Sequence, residues 1–293
     1  MGTNSGVVDV LAALVDGDTD RARSLAAAVP GSPLAAALAE HLSGGRAASS
    51  VYTSPAAFEA FVRGGGNVGL YRAVSAALAG LYDARTPARL VDLGCGDGLA
   101  LLPALAVAAH RPATLTLVEP SAALLATAVR HLDDTDAAGS VRTWPDTAQS
   151  FVAGLAAGES FDLVESTFAL HTIPHEQRTD LLAAVRPHVD TLVVVEFDVP
   201  EATGRDRLRF LAETYERGLA EYDTDTDTDA DLVAQGFLMP VLVGQLAPGA
   251  PRATWEQPAS AWSAQVERAG FTDTTITPLY DYWSSPAFLL TAR

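Results

Sequence analysis

Lysine is missing from the chain. All 19 basic residues are arginine, among 293 residues carrying a formal net charge of −17. That excludes a lysine Schiff base and the lysine of a phosphate-binding loop. So acidic a surface repels phosphate backbones, which argues against nucleic acid as substrate or partner. Cysteine occurs once, at Cys95, so an internal disulfide and a zinc–thiolate cluster are both excluded, and no metal ligand set is assigned. No apolar run reaches the roughly 18 residues that span a bilayer. The first residues lack a basic segment followed by an apolar one. The expectation is a cytoplasmic protein with no membrane partner.

What is present is apolar and alanine-rich, 48% hydrophobic, enough for a full core. Residues 7–42 place Val8, Leu11, Leu14, Val15, Leu25, Val29, Leu34, Leu38 and Leu42 at helical spacing, broken by Pro30-Gly31, which predicts two or three short helices. "SPAAFEAFVRGG" predicts a helix capped by Ser54 and ended by glycines, and residues 68–84 predict another. From residue 89 short apolar runs alternate with helical stretches, from "RLVDLG" to "TLVVVEF". Such alternation predicts an α/β protein with a doubly wound, mostly parallel sheet of seven strands once "TDTTITPLY" and "AFLLTAR" are added. The domain reading is an N-terminal helical lid or substrate region over 1–85 and a catalytic domain over 86–293. A helical insertion follows the fifth strand at about 199–255.

In "LVDLGCGDGLALLPAL" Gly94, Gly96 and Gly98 stand between the first strand and a helix. A bland turn needs one glycine; three in alternation bring the backbone close to a ligand. A dinucleotide turn reads G-x-G-x-x-G, but its third position is Leu99 here, and the glycine falls one residue early. With Asp92 the pattern is D-x-G-x-G-x-G. Glu119 ends the second strand, where a carboxylate can accept from both hydroxyls of a ribose.

"VDLGCGDG", "LTLVEPS" and "FDLVEST" followed by "FALHTIP" resemble the class I S-adenosylmethionine-dependent methyltransferase family, Rossmann-like, in its small-molecule branch. The resemblance covers roughly residues 86–198. It implies S-adenosylmethionine as cofactor, held by Asp92, Gly94, Cys95, Gly96, Gly98, Glu119 and Pro120. Trp144 and Asp146 would flank the adenine, and Glu165 would lie at the site.

Methyl transfer from a sulfonium depends mainly on positioning, with a base where the acceptor must lose a proton. Glu165 and His171, at the end of the fourth strand, are the candidate bases. Candidate substrate contacts are Tyr52, Arg63, Asn67, Tyr71, Phe168, Tyr282 and Trp283. Gly64–Gly66 read as a hinge outside any helix. The absence of a D/N-P-P-Y segment, with "ESTF" in its place, argues against a nucleobase or glutamine acceptor. The expected activity is therefore methyl transfer to a small, partly hydrophobic metabolite at oxygen or carbon, such as an isoprenoid or a 2-oxo acid, by a protein able to form a homo-oligomer. The alternatives are an NAD-dependent oxidoreductase and a catalytically inactive S-adenosylmethionine-binding protein.

Overall fold

The computed structural model describes residues 3–44, 54–133, 138–224 and 229–293. In chain order the helices and strands begin with α1 (Thr3–Val15), α2 (Thr19–Ala27), α3 (Pro33–Ser43), α4 (Pro55–Arg63) and α5 (Gly66–Arg85). Then come β1 (Arg89–Leu93), α6 (Leu101–Val107), β2 (Thr114–Val118), α7 (Ala122–Asp133), β3 (Ser140–Trp144) and α8 (Ala148–Ala153). They continue with β4 (Phe161–Thr167), α9 (His175–Val185), β5 (Val189–Phe197) and α10 (Gly204–Thr224). The last are α11 (Ala230–Val233), α12 (Met239–Leu246), α13 (Ala259–Arg268), β6 (Thr275–Tyr280) and β7 (Ala287–Ala292).

The chain divides into two compact units, one made of Met1–Gly69, Pro200–Ala253 and Tyr282–Ser285, the other of the remainder. The first is helical. Asp18 and Ser32 cap α2 and α3 by accepting from the backbone N–H three residues on. In α10 the buried residues Leu208, Leu211, Ala212, Tyr215, Leu219 and Tyr222 recur at helical spacing and make one apolar stripe. Between α11 and α12 lies a π-helical turn, Ala234–Leu238. Pro240, which has no N–H to offer the preceding turn, follows it. The apolar run there packs into the core: Val233, Leu238, Met239 and Leu242 are buried.

The second unit is a seven-stranded sheet in the order β3-β2-β1-β4-β5-β7-β6. β1 to β5 run parallel, and β7 is antiparallel to both β5 and β6. β1, β4 and β5 are almost wholly buried because helices cover both faces. One face packs Phe151, Leu181, Leu182, Trp262 and Val266 from α8, α9 and α13. On the other, Tyr82 of α5 reaches Glu165 of β4, and Ser75 bonds the Ala100 carbonyl. The winding reverses between β1 and β4, so a crevice opens at their carboxyl ends, the usual ligand position in such sheets.

Candidate functional site

The three glycines follow β1 at that reversal. Gly94, Gly96 and Gly98 have φ of 80°, 56° and 83°, left-handed angles that strain other residues. Close packing requires two of them. A Cβ on Gly94 would lie 2.5 Å from the Ala169 Cβ, and one on Gly98 would lie 2.7 Å from Leu102. Gly96 differs: its Cβ would meet nothing within 4 Å. That side is open space, with room for a ligand to approach the backbone. The Gly96 N–H donates to Glu119 Oε2 at 3.1 Å, and the Ser121 N–H to Oε1 at 2.8 Å. Each carboxylate oxygen keeps a further lone pair for a hydroxyl.

Beneath this turn lies unbalanced acid. Asp92 is buried, and its Oδ1 has no hydrogen-bond partner among the described residues. Burial and the neighbouring Glu119 push its pKa up to about 7. Asp92 is in register with Glu165, which is buried with both oxygens 2.7 and 2.8 Å from the Tyr82 hydroxyl. Burial, then Asp92, hold the Glu165 carboxyl well above the usual range. An orphaned carboxylate oxygen beside an open glycine cradle suits a cationic ligand with a vicinal diol, so the residues present fit S-adenosylmethionine. Cys95 is buried, and burial, then Asp92, push its thiol up, so it fills space rather than reacts.

The carboxyl ends of β4 and β5 carry a second group of side chains. Phe168 follows β4 with φ of 51°, an outlier for an aromatic residue. Its N–H donates to the Val195 carbonyl, and its ring stacks on Phe197 with centroids 4.5 Å apart. Tyr71 meets the Phe168 ring edge-on at 5.9 Å. Burial, then Asp97 of the glycine turn, push the Tyr71 hydroxyl up to about 12, so it stays protonated. Three residues beyond Phe168, His171 is clamped to Glu196 of β5. Its backbone N–H donates to Oε1 at 3.0 Å, and its ring Nδ1 lies 2.9 Å from Oε2. That contact fixes the tautomer with hydrogen on Nδ1 and leaves Nε2 as the acceptor. Burial works against a charged ring, but Glu196 and Glu256 together outweigh it and the His171 pKa is raised.

The other residues named from the sequence are placed as follows. Pro120 is exposed beside Glu119. Trp144 is half-buried and packs edge-on against Phe151, with its indole N–H buried and unbonded. Asp146 is exposed and accepts from the Thr147 N–H. Arg63 is exposed at the end of α4, 3.5 Å from Glu59. Asn67 is buried in the helical unit, donating to the Phe61 carbonyl and Tyr222 hydroxyl and accepting from the Tyr282 hydroxyl. Trp283 packs on Gly218 and Tyr215 there. Tyr52 lies outside the described residues. The glycine triplet is not a loop throughout: Gly66 is the first residue of α5. Gly65 alone has positive φ, 50°, with the Tyr222 ring 2.9 Å from where its Cβ would be.

Four residues escaped the sequence reading: Tyr82, Arg178, Glu196 and Phe197. Glu196 had a readable signal, a lone acid inside the apolar run "TLVVVEF". The others look like ordinary helix or strand-end residues until folding brings them together.

Residues 90–191 match the family model described as "Methyltransferase domain". No curated protein matches the sequence. Among solved structures, the mitomycin 7-O-methyltransferase MmcR is 18% identical with a TM-score of 0.50, over 97% of this chain and 75% of that one. An O-methyltransferase family protein from Burkholderia thailandensis is 14% identical with a TM-score of 0.51, over 76% of this chain and 56% of that one. A Nostoc punctiforme PCC 73102 protein proposed to be an O-methyltransferase is 17% identical with a TM-score of 0.49, over 74% and 55%. This chain thus spans little more than half the length of the last two. The first two likenesses share the fold, and the matched segment carries the glycine turn, the acid of β2 and the β4 edge. Residues 90–191 of this chain are thus similar to a methyltransferase domain.

Proposed function

We propose that this protein transfers the methyl group of S-adenosylmethionine to a hydroxyl oxygen of a small, flat, partly apolar metabolite. One observation carries the reading: a His171–Glu196 pair with a free Nε2 sits three residues from the stacked Phe168 and Phe197 rings. Asp92, the backbone from Gly94 to Gly98 and Glu119 would hold the cofactor, with Trp144 toward its adenine. When bound, S-adenosylmethionine supplies an electrophilic methyl with a neutral leaving group.

The chain's own contribution is positioning and proton removal. Phe168, Phe197 and Tyr71 offer apolar ring surface to a flat acceptor. Nε2 of His171 takes the hydroxyl proton, and Glu196 steadies the imidazolium that results. A raised histidine pKa suits a phenolic or enolic hydroxyl, whose own proton is moderately acidic. A carbon acceptor is the weaker reading, because loss of a proton from carbon at a cationic centre calls for an ionised carboxylate there, and Glu165 is held neutral by burial.

Calorimetric titration with S-adenosylmethionine and with NAD tests the cofactor. The first should bind and the second should not; the reverse would establish the oxidoreductase alternative. Incubation with a metabolite extract and labelled cofactor then tests turnover by the mass of one added methylene. Cofactor binding without any methylated product across hydroxylated aromatic acceptors would leave a binding protein rather than an enzyme.

A further inference from the structure

Arg178 of α9 is fully buried. Burying a cation costs several kcal/mol unless its donors are satisfied, and an apolar residue of similar size would often serve stability as well. Here the donors converge on the His171 turn. Nη1 donates to the Leu170 carbonyl at 3.2 Å and to the Trp255 carbonyl at 3.0 Å. Nε donates to Gln265 Oε1 at 2.8 Å, Nη2 lies 3.0 Å from His175 Nδ1, and the guanidinium sits 3.9 Å from the centroid of the Trp262 ring. The Trp255 N–H in turn donates to the His171 carbonyl at 2.7 Å. One guanidinium thus ties the residue before His171 to the residue that bonds His171 itself.

We propose that Arg178 is a positioning residue, which holds the turn at Leu170–His171 and the 254–257 segment so that the His171 ring stays on Glu196 with Nε2 free. The proposal rests on the reading of His171 as proton acceptor. Lysine would not substitute: an ammonium cannot stack on Trp262 and serve three planar directions at once. The cation also acts on the ring electrostatically. Glu196 from β5 and Glu256 from the 254–257 segment favour the imidazolium, and Arg178 from α9, where neighbouring His175 accepts its hydrogen bond, opposes it. The arginine keeps the base from holding its proton too tightly.

The test uses the full chain, with Arg178→Met and Arg178→Lys compared by NMR of the His171 ring, assigned from its loss in His171→Asn. In both variants the turn loosens, so the protected downfield Nδ1–H resonance should broaden or be lost and the ring's titration midpoint should fall as it leaves Glu196, whose effect on the ring is larger than that of Arg178. Turnover should fall about 10- to 100-fold in Arg178→Lys, as expected for a misplaced base. An unchanged midpoint in a folded Arg178→Met overturns the proposal. Should that variant fail to fold, an unchanged Nδ1–H resonance with parental turnover in Arg178→Lys overturns it instead. Parental turnover in His171→Asn would overturn the base reading separately, whatever the Arg178 variants do to the ring.

Discussion

At the end of β1 and β2 the site is built mostly from backbone: left-handed φ angles at Gly94, Gly96 and Gly98 and N–H donors at Gly96 and Ser121. At the end of β4 and β5 it is built from side chains: the His171 ring lies on Glu196, Phe168 stacks on Phe197, and Arg178 and Trp255 bond the turn that carries His171. A cofactor common to a family can be held by a motif, because the backbone recognises it. An acceptor peculiar to one protein has to be met by side chains that only folding brings together. Substitutions at the first edge should therefore act on cofactor affinity, and those at the second on turnover.

The largest effect is expected at Gly96. Gly96→Val strains a φ of 56° by about 1–2 kcal/mol and fills the one open side of the turn. Cofactor binding should drop below calorimetric detection while circular dichroism still reports a folded chain. Parental affinity would remove the turn from the site.

Next come His171→Asn and Glu196→Gln. Each should lower turnover by roughly 10²–10⁴, the first by removing the base and the second by leaving its tautomer and charge unsupported. Cofactor affinity should stay within a few-fold of the parent. Equal losses in both quantities would erase the division between the two edges.

Glu119→Ala is expected to weaken cofactor binding by about 1.5–3 kcal/mol, roughly 10- to 150-fold, since two ribose hydroxyls lose a charged acceptor. Glu119→Gln should cost less. At the same edge Asp92, with a pKa of about 7, sets a pH dependence. A cationic ligand favours the carboxylate, so affinity should rise with pH up to about 7 and level off above it, with proton release visible in buffers of different ionisation heat. A flat profile would place the cofactor's charge elsewhere.

The sequence showed the sheet almost strand by strand, because short runs with apolar residues alternate with helical stretches and turn residues from β1 to β5. It showed the glycine turn for the same reason: the chemistry is in the spacing. It did not show that Glu165 faces Tyr82 across the β4–α5 packing, since a tyrosine in an apolar helical stripe carries no mark of its partner. Nor did it show that "FLMP" is core, because an apolar run looks alike whether it lines a pocket or fills one. Side-chain partners such as His171 with Glu196 and Arg178 with Gln265 become visible only with coordinates.

The smallest effect sharpens the comparison most. Glu165 lies on β4, the strand of the proposed catalytic edge, yet it belongs with Asp92 below the glycine turn. Its two oxygens share one tyrosine hydroxyl, which has a single hydrogen to give. A protonated carboxyl resolves this by donating to the Tyr82 oxygen while its other oxygen accepts. Glutamine copies that neutral form, so Glu165→Gln should leave turnover within about threefold of the parent, far from the loss that removing a general base brings. Its effect should fall on stability, with a sign set by the raised pKa. In the unfolded chain the carboxyl ionises near its ordinary value, and in the folded protein it does not. The parent therefore loses stability as pH rises from that ordinary value toward the folded one. Glutamine does not titrate, so the variant should melt near the parent at pH 5 and above it at pH 8. A fall in turnover of 10²-fold or more, with cofactor affinity kept, would instead make Glu165 the base and move the catalytic edge inside β4.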